Sequence, residues 1–320
     1  MRACRVAAVG KHLRCDGAPF RVRGATYGTF APRFDGARFP HHAQVDADFG
    51  AMAAAGFNTA RTYTLPPPDV LDLAAEHGLK LLVGLDYHDW RMEPVPGRAA
   101  ARRILDAGRA AAAAAMTEIA GRPEVLGIAV GNEVPGDIVR VHGIGSVERT
   151  LSAIVAEVHS ADPEMLSCYV SFPTTEYVEV EGQDFVCFNV FLEQPESLRR
   201  YLRHLQRVAG DKPLVLTELG LASALHGEDA QAASLRSQLR LVDECGLAGA
   251  TIFSWTEAWN VGGTMVKTGE TRAARAVSAA ATSPFGIGGG QRYHLATEPV
   301  NLPHVWLGCW PRSVFERVGL

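Results

Sequence analysis

Short apolar runs rich in Val, Ile, Leu and Phe alternate along the chain with longer stretches whose apolar residues recur at helical spacing. Near-continuous apolar runs predict strands buried on both faces, and the intervening period predicts amphipathic helices. The predicted strands are Phe20–Gly28, Phe57–Tyr63, Leu79–Tyr87, Val125–Glu133, Met165–Phe172, Asp184–Phe191, Pro213–Gly220 and Ala248–Thr256. The predicted helices are Val45–Gly56, Pro67–His77, Arg98–Gly121, Ser146–Ser160, Thr174–Val180, Glu196–Ala209, Asp229–Glu244 and Glu270–Ala281. Pro66-Pro67-Pro68 starts the second helix, Gly78 stops it, and Ser146 reads as the N-cap of the fourth.

Strands alternating with helices through eight units predict an α/β fold, a closed (β/α)8 TIM barrel. An open doubly wound sheet would carry a phosphate-binding glycine motif. The nearest approach, Gly286-Ile287-Gly288-Gly289-Gly290, has Gln291 where the third glycine belongs and no strand–turn–helix around it. About the first 20 residues read as a short N-terminal β-hairpin turning at Asp16-Gly17. Hairpin and barrel together take residues 1–282, and residues 283–320, rich in Pro, Gly and isolated aromatics, read as an irregular C-terminal extension.

Composition narrows the function. The 320 residues are 47% apolar, enough for one large core, and the net charge of -4 lacks the basic footprint of a nucleic-acid binder. No stretch approaches the roughly 18 apolar residues of a membrane span. The apolar part of the N-terminus is short and interrupted, a poor match to a signal peptide, so a cytoplasmic location is the default expectation. The six cysteines form no CxxC pair; Cys168 and Cys187 sit in strand-like runs and read as buried free thiols.

In a (β/α)8 barrel the chemistry lies at the C-terminal strand ends. There the sequence places Arg61 and Tyr63, then Asp86, Tyr87 and His88, then Asn132 and Glu133. Asn189, Phe191 and Glu193 follow, then Thr217 and Glu218, and finally Ser254, Trp255, Glu257 and Trp259. A carboxylate ending a core strand is costly to bury unless paired or used. Glu133 and Glu218 both stand there, at the ends of the fourth and seventh predicted strands. Two carboxyl groups suffice to cleave a glycosidic bond, one as acid and one as nucleophile or base. Tyr and Trp offer flat faces to a sugar ring, and Arg61 can hold a carboxylate ionised. His88 reads as a substrate contact rather than a metal ligand, because no HxH pair accompanies it, and no metal or other cofactor is expected.

Gly-Asn-Glu at residues 131–133, Thr-Glu-Leu-Gly at 217–220 and Phe-Ser-Trp at 253–255 resemble the strand ends of clan A glycoside hydrolases. The resemblance implies Glu133 as acid/base and Glu218 as nucleophile. It implies Asn132 on the sugar 2-hydroxyl, Arg61 supporting the nucleophile and Trp255 flooring the −1 subsite. Tyr63, Tyr87, His88, Asn189 and Trp259 complete the expected substrate-binding set. The segments RGATYGTFAP, NTARTYTLPP, AVGNEVPGDIVR, FVCFNVFLEQ and LTELGL are similar to glycosidase-like domains associated with bacterial family 2 glycosyltransferases. That likeness implies retaining hydrolysis of a β-linked oligo- or polysaccharide, β-glucan favoured, and a functional link to a glycosyltransferase. The clan often places a Tyr near the end of strand six against the nucleophile, where this chain has Phe191. A transglycosylase with the same residues and a carbohydrate-binding barrel without turnover are the alternative readings.

Overall fold

The computed structural model describes residues 4–88, 90–93 and 95–256. It opens with a three-stranded antiparallel sheet, β1 (Val6–Val9), β2 (His12–Cys15) and β3 (Ala18–Phe20). The predicted hairpin is its β2–β3 half. Asp16 and Gly17, at φ 49° and 78°, both adopt the left-handed backbone that a two-residue hairpin turn needs. The sheet also pairs β1 with β2, and Cys4 is disulfide-bonded to Cys15 with Cα atoms 5.7 Å apart, a link the cysteine spacing did not announce.

Eight parallel strands then close into a barrel: β4 (Val22–Thr26), β5 (Thr59–Thr62), β6 (Lys80–Gly84), β7 (Val125–Asn132), β8 (Ser167–Ser171), β9 (Val186–Asn189), β10 (Leu214–Glu218) and β11 (Gly249–Ile252). Each lies inside its predicted segment. β11 closes the ring by pairing with β4, and Gly249 permits it: φ is 133°, and a Cβ there would stand 2.1 Å from the Val22 carbonyl oxygen.

Helices α1 (His42–Ala54), α2 (Pro68–Glu76), α3 (Arg98–Ile119), α4 (Gly136–His142), α5 (Ile144–Ala161), α6 (Pro195–Val208), α7 (Ser223–His226) and α8 (Glu228–Glu244) flank the barrel. Three expectations are corrected. Ser146 lies inside α5, which starts directly after Gly143 at φ 82°, the glycine dividing it from α4. Thr174–Val180 forms no α-helix: a 3-10 turn, Pro173–Thr175, is followed by irregular chain burying Val178 and Val180. Valines alternating with Glu179 and Glu181 give a period of two, which a helix cannot bury on one face. The first helix, predicted from Val45, starts three residues earlier at His42. The expected helix Glu270–Ala281 and the extension 283–320 lie outside the described residues.

The core has two layers. Between strands and helices pack Phe49, Leu81, Ile128, Leu151, Leu202 and Leu216, all fully buried. Inside the barrel, Val22, Leu82, Leu166, Cys168, Phe185, Cys187 and Val215 pack together, with both thiols free. Val6 and Leu13 of the N-terminal sheet join this inner cluster at the N-terminal ends of the strands. The sheet therefore plugs the barrel floor, and Arg5 clamps it there by its ion pair with Asp162. With that end closed, a ligand can enter the barrel only from the opposite face.

Candidate active site

Strand pairing explains why polar residues come in consecutive couples at that face. Alternation sends every second side chain inward. On β10, Val215 points in and Leu216 out. The register then shifts between Leu216 and Glu218, and Thr217 and Glu218 both reach the interior. On β7 the register shifts between Ala129 and Asn132, and Asn132 and Glu133 both turn inward. Such bulges re-aim side chains at strand ends.

Arg61 is the hub. It is 1% exposed, and its Nη1 donates to Glu218 Oε1 at 2.8 Å, the Thr217 carbonyl at 2.9 Å and Asn189 Oδ1 at 3.3 Å. Its Nη2 donates to Asn132 Oδ1 at 2.6 Å. The planar, permanently charged guanidinium suits this fork. Tyr63 donates its hydroxyl to the same Glu218 oxygen at 2.8 Å, and its ring centroid lies 4.8 Å from the Arg61 guanidinium carbon. Burial, then the charge of Glu218, push the Tyr63 phenol well above its ordinary range, so it remains a donor.

The two carboxylates have different surroundings. Glu133 accepts from Asn189 Nδ2 at 2.9 Å. Burial, then the charge of Glu218, raise its pKa to about 7, against weaker lowering by Asn189, Arg61 and Arg91. Burial pushes Glu218 up as well, but Arg61 and Tyr63 oppose it directly. Arg61 therefore favours the charged form of Glu218 against its burial, whereas Glu133 meets a neutral amide and burial raises it to about 7.

Glu133 also has a left-handed backbone, φ 49°, rare for a residue with a long side chain. Hydrogen bonds pin it on both sides. Its own N–H donates to the Val170 carbonyl at 2.9 Å, and the Val134 N–H donates to the Tyr169 hydroxyl at 2.9 Å. Tyr169 was not singled out from the sequence. The signal was a lone phenol in the apolar run MLSCYVSF, whose hydroxyl had to find a partner.

The other expected contacts divide. Asn132, Asn189, Arg61, Tyr63, Glu133 and Glu218 form one hydrogen-bonded group. Tyr87 does not join it: its ring packs toward Gly108 of α3 and its hydroxyl donates to the Val130 carbonyl at 2.8 Å. Trp255 also turns away. Its indole meets Phe57 edge-on with centroids 6.1 Å apart and donates to Asp48 of α1 at 3.3 Å. Inward parity belongs instead to Phe253, two residues beyond Thr251, whose hydroxyl bonds the Thr217 carbonyl inside the barrel. Phe253 meets Phe191 edge-on, with centroids 6.2 Å apart. His88 is held at 2.8 Å by Glu93, a buried carboxylate that Arg103 also clamps, and Asp86 pairs with Arg38. Trp259 lies outside the described residues. Among the described residues no three His, Cys, Asp or Glu side chains converge as a metal site would require.

No protein-family model matches the sequence, and no curated protein does. Solved structures do share the fold. The apo β-glucuronidase of Ruminococcus gnavus aligns with a TM-score of 0.64 at 16% identity over 80% of this chain and 46% of its own. The same enzyme in complex with uronic deoxynojirimycin aligns with a TM-score of 0.66 at 15% identity over 84% of this chain and 48% of its own. This chain thus spans about half the length of those proteins, and at such identity the likeness is one of fold.

Proposed function

We propose that the protein is a β-glycoside hydrolase working by retention, with Glu218 as nucleophile and Glu133 as acid and then base. The observation that carries this reading is the asymmetry of the two carboxylates. Glu218 meets the buried Arg61 at 2.8 Å, whereas Glu133 meets a neutral amide and has its pKa raised to about 7. A carboxylate paired with a cation beside one whose pKa is raised suits the division into nucleophile and acid that glycoside cleavage needs. A Glu218 oxygen attacks the anomeric carbon. The glycosidic C–O bond breaks, its electron pair leaves on the oxygen, and Glu133 protonates that oxygen. Water then attacks the anomeric carbon and gives its proton to Glu133, and the ester electrons return to Glu218.

Asn132, whose Oδ1 is taken by Arg61, keeps its amide N–H groups for a sugar hydroxyl. The fold shared with β-glucuronidases supports a β-linked sugar. The likeness to glycosidase-like domains beside family 2 glycosyltransferases favours a β-glucan and a partner enzyme that polymerises it. A panel of β-glucans and aryl β-glucosides and β-glucuronides, assayed with wild type and Glu218→Gln, tests the reading. Turnover of at least one by wild type and loss in the variant are expected. Wild-type inactivity on all of them, or an active Glu218→Gln, overturns it.

A further inference from the structure

Phe191 stands where a phenol against the nucleophile was expected, and it has no hydroxyl to give. Its ring is turned edge-on to Phe253. The phenol instead arrives from the far side of the barrel. Tyr63 follows β5 two residues after Arg61, and the two-residue period brings both side chains inward. We propose that Tyr63 is the positioning residue of the nucleophile: with Arg61 it fixes Glu218 Oε1 and leaves Oε2 to attack. This assignment rests on the hydrolase reading for its chemistry and on geometry for its contacts.

Both donors converge on one atom. Arg61 Nη1 and the Tyr63 hydroxyl each lie 2.8 Å from Oε1. Two donors on one oxygen set the rotation of the carboxylate plane, and they draw charge to the oxygen that does not react. The phenol is itself held, because its ring lies against the Arg61 guanidinium at 4.8 Å. The ring therefore cannot swing without losing the cation contact, and the guanidinium is fixed in turn by Asn132, Asn189 and Thr217. The charged and titratable groups facing the pair are Arg61, Glu133 and the buried thiols Cys168 and Cys187. Of these, Arg61 is the one placed to share the work on Oε1.

In the glycosylation step Oε2 forms the bond to the anomeric carbon as the bond to the leaving oxygen breaks. Oε1 then becomes the carbonyl oxygen of the ester. Donors on it hold the ester in one plane and stabilise the carboxylate again when water releases the sugar. A core aromatic with an incidental hydroxyl would do neither.

Tyr63→Phe keeps the ring and the cation contact and removes one hydrogen bond. In protein carrying carboxyl-labelled glutamate, 13C NMR follows the Glu218 titration, assigned with Glu218→Gln. Loss of the donor is expected to move that titration upward, because an O–H bond to the carboxylate favours its charged form. In the active enzyme kcat is expected to fall by roughly 10- to 150-fold, the span open to a hydrogen bond to a charged group, with KM changed much less. A Glu218 titration that does not move overturns the assignment whatever turnover does, and so does an unchanged kcat in an active enzyme. If wild type hydrolyses no glycoside, the hydrolase reading fails while the titration still decides whether Tyr63 holds Glu218.

Discussion

Asn189 donates its Nδ2–H to Glu133 Oε1 at 2.9 Å. The orientation of this amide is forced, because the Thr217 hydroxyl at 2.9 Å and Arg61 at 3.3 Å both donate to its Oδ1. One neutral side chain thus connects the group that holds Glu218 to the group that bonds Glu133. Donation to a carboxylate favours its charged form, and here it lowers the Glu133 pKa against the larger effect of burial. Asn189→Ala should therefore move the alkaline limb of the kcat/KM profile to higher pH. A profile left in place would show that the bond does not tune the acid.

The pH dependence of wild type follows from Glu133. In the proposed reaction Glu133 acts protonated and Glu218 ionised, so kcat/KM should fall on the alkaline side with an apparent pKa of about 7. Glu133→Gln should remove that limb and lower activity by about 10²- to 10⁴-fold, least for aryl glycosides with acidic leaving groups. The sign for stability is the opposite of a paired carboxylate. A folded pKa of about 7 against an ordinary 4.5 means the folded protein binds the extra proton, so stability declines as pH rises between those values. Glu133→Gln should flatten this decline in chemical denaturation at pH 5 and pH 8.

Arg61 answers for both stability and charge. Its side chain is 2% exposed and that of Glu218 is 9% exposed, so neither charge can turn to water. Arg61→Met should cost about 3–5 kcal/mol, the range for orphaning one member of a buried pair. Urea denaturation measures it; a loss below about 1 kcal/mol would mean that Glu218 is neutral in the native state.

The two aromatics after β11 should separate cleanly. Phe253→Leu removes the ring with inward parity and should lower kcat/KM by about 3- to 10-fold with little change in Tm, as expected for lost ring stacking. Trp255→Phe removes the indole bond to Asp48 and should lower Tm by about 2–4 °C per kcal/mol lost while leaving kcat/KM within about twofold. The reverse pattern would place the sugar on Trp255.

What the sequence disclosed follows from the physics of barrels. Parallel strands buried on both faces must be apolar throughout, so all eight were visible as runs such as VLGIAVG and PLVLT. A carboxylate ending such a run is conspicuous, so Glu133 and Glu218 were visible too. Side-chain direction past the strand end was not. Tyr87 and Trp255 stand beyond their strands, where alternation no longer fixes which way a ring turns; Phe253, one step past β11, still obeys it. The contact of Tyr63 with Glu218 crosses 155 positions of sequence and needed the closed barrel to be seen.

The most direct measurement of the central claim is covalent trapping. A 2-deoxy-2-fluoro β-glycoside with a good leaving group slows release of the sugar more than its capture by the nucleophile. Wild type incubated with it should gain the mass of one fluorosugar, and peptide mass spectrometry should place it on the segment containing Glu218, with no label in Glu218→Gln. Label on another residue, or hydrolysis of the parent glycoside undiminished by Glu218→Gln, would contradict the account.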